Sequence, residues 1–121
     1  MRGVLLISHS ADIVNGLQRL LQEVAKDVPM TIAGGIEDGL IGTTFDDILN
    51  AIETNEADEI YAFYDLGSAK LNLEMAIDSS NKKVTIYDVA LIEGSYIAAA
   101  LLQTGVDDET IQQNLAPLTI K

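Results

Sequence analysis

The sequence predicts an α/β fold: a flavodoxin-like three-layer sandwich with a central, mainly parallel sheet in the order 2-1-3-4, and room for a C-terminal edge strand. Three observations predict it. Short apolar runs alternate with longer segments of helical period in the order β-α-β-α-β-α-β-α, the pattern of a parallel sheet with crossover helices. The runs are continuous rather than alternating, as strands buried on both faces are. At 121 residues the chain suits one domain spanning 1–121. Crossovers should be right-handed, and the switch point then falls between the first and third strands.

Each element has its own justification. Gly3-Val4-Leu5-Leu6-Ile7-Ser8 reads as the first strand. Ser10 is an N-cap, and Ile13, Leu17, Leu20, Leu21 and Val24 recur at helical spacing behind it, to Lys26. Pro29 stops that helix, and Met30-Thr31-Ile32-Ala33 forms the second strand. Gly34 to Thr43 is a glycine-punctuated loop, longer than the usual βα connection of about 2–6 residues. Thr43 or Thr44 caps the next helix, whose core face is Phe45, Ile48, Leu49 and Ile52. Glu59 to Tyr64 is the third strand. Ser68 caps a helix carrying Leu71, Leu73, Met75, Ala76 and Ile77, and Val84 to Tyr87 is the fourth strand. An Ala-rich helix follows Gly94-Ser95 and stops at Gly105. Asp107 caps a last short helix to Leu115, Pro117 closes it, and Leu118-Thr119-Ile120 is the candidate edge strand.

Composition removes whole classes of function. No cysteine means no disulfide framework, thiolate metal site or cysteine nucleophile. One histidine cannot build a His-rich zinc site, so no metal ligands are assigned. A net charge of −12 argues against nucleic acid and anionic membrane as partners. No apolar run reaches the length of a membrane span, and the first residues are too short for a signal peptide. A cytoplasmic acidic domain is expected.

In open α/β sheets, ligands bind beyond the carboxyl ends of the strands at the switch point. The first strand ends in Ser8-His9-Ser10 and the third in Asp65-Leu66-Gly67-Ser68. The only histidine therefore faces Asp65 across that crevice. An imidazole unprotonated at one nitrogen is a nucleophile, and a carboxylate on the other nitrogen fixes its tautomer. Helix starts at Ser10 and Ser68 offer free N–H groups to an anion, and Gly34, Gly35, Gly42 and Gly67 let backbone approach one. Plainer readings stand beside these. A lone histidine after a strand is also an ordinary loop residue, Asp65 can simply end a strand, and capping alone explains both serines. The loop lacks the Gly-Lys-Ser/Thr of a phosphate-binding P-loop and the Gly-x-Gly-x-x-Gly of a dinucleotide site. Tyr61, Phe63 and Tyr64 read as sheet packing.

Four motifs in order carry a resemblance that covers essentially the whole chain: Val4-Leu5-Leu6-Ile7-Ser8-His9-Ser10; Ala33-Gly34-Gly35-Ile36-Glu37-Asp38 with Ile41-Gly42-Thr43; Asp65-Leu66-Gly67-Ser68-Ala69; and Val89-Ala90-Leu91-Ile92-Glu93-Gly94. The chain resembles the mannose-type enzyme IIA domains of the bacterial phosphotransferase system, and among them the phosphotransferase subunits of dihydroxyacetone kinase. The resemblance implies that His9 accepts a phosphoryl group from the histidine-containing phosphocarrier protein. His9 would then pass it to ADP held on the nucleotide-binding kinase subunit, DhaL, and the ATP so formed would phosphorylate dihydroxyacetone on the subunit DhaK. It implies phosphate on Nε2, Asp65 bonded to Nδ1, and phosphate contacts from Ser10, Gly42, Thr43, Gly67 and Ser68. It implies no cofactor on this chain itself, since the nucleotide sits on a partner.

Members of the family commonly form homodimers, for which the Ala-rich helix or the edge strand could supply the contact. Some relatives continue into further carrier domains; this chain is expected to rely on separate general carriers. Two alternatives stay open: a IIA component of a mannose-type sugar transporter, and a non-catalytic acidic binding module. The few cations imply that partners bring positive charge to the site, and −12 would steer basic partner faces towards it.

Overall fold

A strand with apolar side chains on both faces is satisfied only at the centre of a covered sheet, and β1 (Arg2–Ser8) lies there. The computed structural model describes Met1–Lys121. β2 (Met30–Gly34), β3 (Glu59–Tyr64) and β4 (Lys83–Tyr87) complete a sheet in the order β2-β1-β3-β4, every pair parallel. The predicted order therefore holds. Register aligns Ile7 with both Ala33 and Tyr64, so the carboxyl ends of β2, β1 and β3 stand level.

Alternation along β1 divides the core in two. Val4 and Leu6 pack against Val14, Leu17 and Leu21 of α1 (Ala11–Gln22), and with α4 (Leu91–Thr104) and α5 (Asp108–Leu115) through Ala98, Ala99, Leu102 and Ile111. Leu5 and Ile7 point to the other face, towards Ile48, Ala51 and Ile52 of α2 (Phe45–Thr54) and Ala69, Leu73 and Ala76 of α3 (Gly67–Asp78). Each large apolar side chain buried in these layers contributes about 1.5–3 kcal/mol. No helix is long and apolar enough to cross a membrane.

Caps form where short polar side chains precede helices. Ser10, Thr44 and Asp107 each accept a backbone N–H from the first turn behind them. Gly105 ends α4 in the left-handed conformation that suits glycine. The helix faces differ from expectation. On α1 the sheet takes Val14, Leu17 and Leu21, whereas Ile13 and Leu20, and Val24 beyond its end, are exposed. The helix also ends at Gln22 rather than Lys26, because a turn carries Ala25 and Val28 back into the core before Pro29. On α3, Leu71 and Met75 are exposed, and Ala69, Leu73 and Ala76 are buried.

Two further expectations change. Ser68 is not a cap: α3 begins at Gly67, behind Leu66, and Ser68 sits inside its first turn. The C-terminal edge strand reduces to a single antiparallel bridge between Val89 and Thr119. Pro117 lies in a 3-10 turn at Ala116–Leu118 and cannot join a ladder. The tail is still fixed, with the Ala90 N–H donating to Leu118 O and the Ile120 N–H to Asp88 O, each at 3.1 Å.

Candidate functional site

The level strand ends bring the two predicted partners together. His9 follows β1 and Asp65 follows β3, and these strands are neighbours in register. His9 Nδ1 lies 3.0 Å from Asp65 Oδ1. The carboxylate also accepts the His9 backbone N–H at 3.0 Å, the Ser8 hydroxyl at 2.6 Å and the Leu66 N–H at 2.7 Å. Burial pushes the Asp65 carboxyl up, but the hydrogen bonds from Ser8, from the His9 ring and backbone, and from Leu66 outweigh it and hold it below the usual carboxylate value.

An ionised carboxylate can only accept, so the ring proton of His9 is on Nδ1. The Nε2 lone pair is then free to accept, and the Ser68 hydroxyl, 2.7 Å away, donates to it. The side chains of His9 and Asp65 are 14% and 21% exposed, so the pair is sheltered and still reachable. Aspartate, imidazole and serine thus form one line, in which Nε2 is the ring nitrogen with an available lone pair and Ser68 is the outer member.

The remaining predicted residues surround this line in different ways. The Gly42 N–H donates to the His9 carbonyl at 2.8 Å, so that amide fixes the histidine backbone instead of pointing at a ligand. A Cβ at Gly42 would stand 3.1 Å from Ile36 Cγ2, and its φ of 156° is costly for other residues. Ser10 accepts the Ile13 N–H as a cap and donates its own N–H to Ser8 Oγ. Gly67 opens α3, and the N–H groups of Gly67 and Ser68 have no acceptor within the helix. Thr43 makes no bond to His9; Asn72 Nδ2 donates to its hydroxyl oxygen at 2.9 Å and holds it against α3.

Ser8, Leu66 and Asn72 escaped the sequence reading. Ser8 did leave a signal. It is fully buried at the end of an otherwise apolar strand, and a buried hydroxyl needs partners. It finds them in Asp65 and the Ser10 N–H.

The depressed Asp65 value has a measurable consequence. A carboxyl whose value is lower in the folded than in the unfolded chain stabilises the fold above its unfolded value, about 3.9. That contribution is lost as pH falls through the folded value. Asp88, Asp107 and Asp108 are lowered as well, chiefly by hydrogen bonds from Tyr64, Thr110 and Tyr61 respectively. Thermal melts should therefore fall steeply in acid below about pH 4. Asp65→Asn should flatten that fall; an unchanged slope would remove Asp65 from the acid response.

The chain is similar to known proteins in sequence and in fold. The family model EIIA-man, described as "PTS system fructose IIA component", matches residues 3–112. The chain is 47% identical to the phosphotransferase subunit DhaM of the PTS-dependent dihydroxyacetone kinase of Lactococcus lactis, covering 98% of this chain and 97% of that one. It is also 47% identical to the phosphoryl donor subunit DhaM of the PEP-dependent dihydroxyacetone kinase 1 of Listeria innocua, over 98% and 96%. A crystal structure of a protein of unknown function, EF1359, superposes with a TM-score of 0.85 at 27% identity, covering 99% and 96% of the two chains. With its strand order, its helix layers and a family match running from β1 into α5, the chain belongs to the mannose-type IIA family of the phosphotransferase system.

Proposed function

We propose that this chain is the phosphoryl donor subunit of a phosphoenolpyruvate-dependent dihydroxyacetone kinase, acting as one IIA domain over residues 1–121. His9 Nε2 attacks the phosphorus of a phosphohistidine on the histidine-containing phosphocarrier protein. The donor's P–N bond breaks as the new one forms, and the Nδ1 proton stays between His9 and Asp65. The ring gains positive charge in this step, and the Asp65 carboxylate offsets it. In the second step the P–N bond on His9 breaks and an oxygen of the terminal phosphate of ADP, held on the nucleotide-binding subunit, takes the phosphoryl group. His9 returns to its neutral form with the proton still on Nδ1.

The observation that carries this reading is the Asp65–His9–Ser68 line, which leaves one lone pair of the only histidine at the crevice mouth. When Nε2 takes a phosphoryl group, the Ser68 hydroxyl loses its acceptor there and can donate to a phosphoryl oxygen instead. The N–H groups of Gly67 and Ser68 at the start of α3 suit the same anion. Ser10, Gly42 and Thr43 then act by holding the first turn of α1, the His9 backbone and the loop, respectively.

Positive charge at the interface comes largely from the partners. Beside the loop lies an open hollow of about 820 Å³ lined by Glu37, Asp38, Asp46 and Asp47 among others, which favours basic protein faces. The wording of the family description favours a second reading, a IIA component of a sugar transporter. Near-full-length identity to kinase subunits favours the kinase.

Reconstitution tests the choice: phosphoenolpyruvate, the general carriers, this chain and the two kinase subunits should form dihydroxyacetone phosphate. Phosphorylated chain that never yields that product would return the reading to a transporter. In the same assay Ser68→Ala should slow phosphoryl transfer about tenfold, the worth of one hydrogen bond to a charged group. A wild-type rate would confine Ser68 to the resting state.

A further inference from the structure

Seven cations serve the whole chain, and the fold sends most of them away from the site. The strands are parallel, so Arg2 at the start of β1 and Lys83 at the start of β4 mark the opposite end of the sheet, where they pair with Asp108 and Glu59. Lys82 is likewise tied to the Asn55 carbonyl there. Two lysines remain at the carboxyl end. Lys70 of α3 is committed to Asp88 at 2.9 Å, and the Tyr64 hydroxyl donates to the same oxygen. That pairing neutralises Lys70 and ties α3 to the end of β4. Burial and the Asp88 contact push the Tyr64 phenol up to about 12, so it stays a donor.

Lys121 is different. The returning tail, bonded to the segment after β4 through the Val89–Thr119 bridge and the Ile120 N–H, carries it across to the end of β3. Its ammonium donates to the carbonyl of Tyr64, the residue just before Asp65, and stands 3.9 Å from the centre of the Tyr64 ring. It makes no ion pair with a carboxylate. Burial pushes its value down, while the charges of Asp65 and Asp88 pull it up. It is therefore the one cation at this end of the sheet whose charge is not already spent on a partner carboxylate.

We propose that Lys121 is a positioning residue for phosphoryl transfer: it fixes the end of β3 through Tyr64 and supplies the resident positive charge that an acidic site needs when a phosphoryl group arrives on His9. The proposal rests on His9 being the phosphoryl acceptor. Transfer brings a dianionic group to a crevice that already holds the Asp65 carboxylate. A fixed ammonium beside Asp65 lowers that repulsion without solvent having to reorganise.

The test is phosphorylation of the full chain by phosphoenolpyruvate and the general carriers, with Lys121→Met and Lys121→Arg compared across donor concentrations. Lys121→Met is expected to lower the saturated rate about tenfold, equivalent to about 1.4 kcal/mol, with the half-saturating donor concentration unchanged and the fold retained. The ³¹P resonance of the phosphorylated chain should move in Lys121→Met, and Lys121→Arg should restore most of both properties. A wild-type rate in Lys121→Met overturns the proposal. So does a change in half-saturation alone, which means docking, or an equal loss in both variants together with lowered melting, which means a mere pin. Failure of the unaltered chain to be labelled at all instead overturns the reading of His9, and this proposal with it.

Discussion

His9→Ala yields a folded protein that takes up no phosphoryl group from phosphoenolpyruvate and the general carriers. The loss should be complete within detection, because the chain has no other histidine and no cysteine to receive phosphate from a phosphohistidine. Folding should survive. The imidazole lies beyond the end of β1, outside both core layers, and its backbone N–H and carbonyl keep their bonds to Asp65 and Gly42. Acid-labile, base-stable label on the unaltered chain, absent from the variant, checks this by mass analysis. Label that persists in His9→Ala would sink the mechanism.

Asp65→Asn should fold and transfer slowly, with a fall of about 10² in rate. The amide loses the negative charge that offsets the developing cation on the ring. It also has only one acceptor oxygen for the four donors that Ser8, Leu66 and the His9 ring and backbone present to the carboxylate. The imidazole is then free to turn or to carry its proton on Nε2, where it blocks attack. Quenched-flow measurement of the first transfer step, with circular dichroism to show folding, separates this from simple destabilisation. A rate within twofold of wild type would mean that Asp65 only ends its strand.

The opposing effects on its carboxyl suit Asp65 to the proposed role. A carboxyl partly withdrawn from water tends to protonate, and here four donors reverse that tendency. Two of them, Ser8 and Leu66, owe nothing to histidine, so the carboxylate stays ionised whether or not the ring carries phosphate. An orienting group that lost its charge during the reaction would release the imidazole at the moment it was needed.

The sequence alone determined the order of elements, the strand order 2-1-3-4 and the meeting of His9 with Asp65. Each rests on local or topological physics that one chain carries by itself: continuous apolar strands must be central, right-handed crossovers limit the arrangements, and a switch point follows. Ser10, Asp107 and Gly105 were legible for the same reason, since capping is decided within a few residues, and the cap of α2 was narrowed to Thr43 or Thr44, of which the structure uses Thr44. The family motifs added the expected roles of the residues around His9.

Apart from the meeting of His9 with Asp65, tertiary structure decided which neighbours the side chains have. Period pointed to Ile13, Leu17, Leu20, Leu21 and Val24 on the first helix, and contact with β1 and α4 chose Val14, Leu17 and Leu21. Ser68 reads as a cap because serine before a helix usually is one, but the helix starts at Gly67, and the hydroxyl goes to a residue 59 positions away. Gly42 reads as an open amide until its N–H is found on the His9 carbonyl. Lys121, at the far end of the sequence from His9, carries no local signal; only the returning tail sets its charge beside Tyr64 and Asp65. Periodicity and capping are short-range properties written in the chain, whereas hydrogen-bond partners and electrostatic fields are long-range properties that exist only once the strands have been laid side by side.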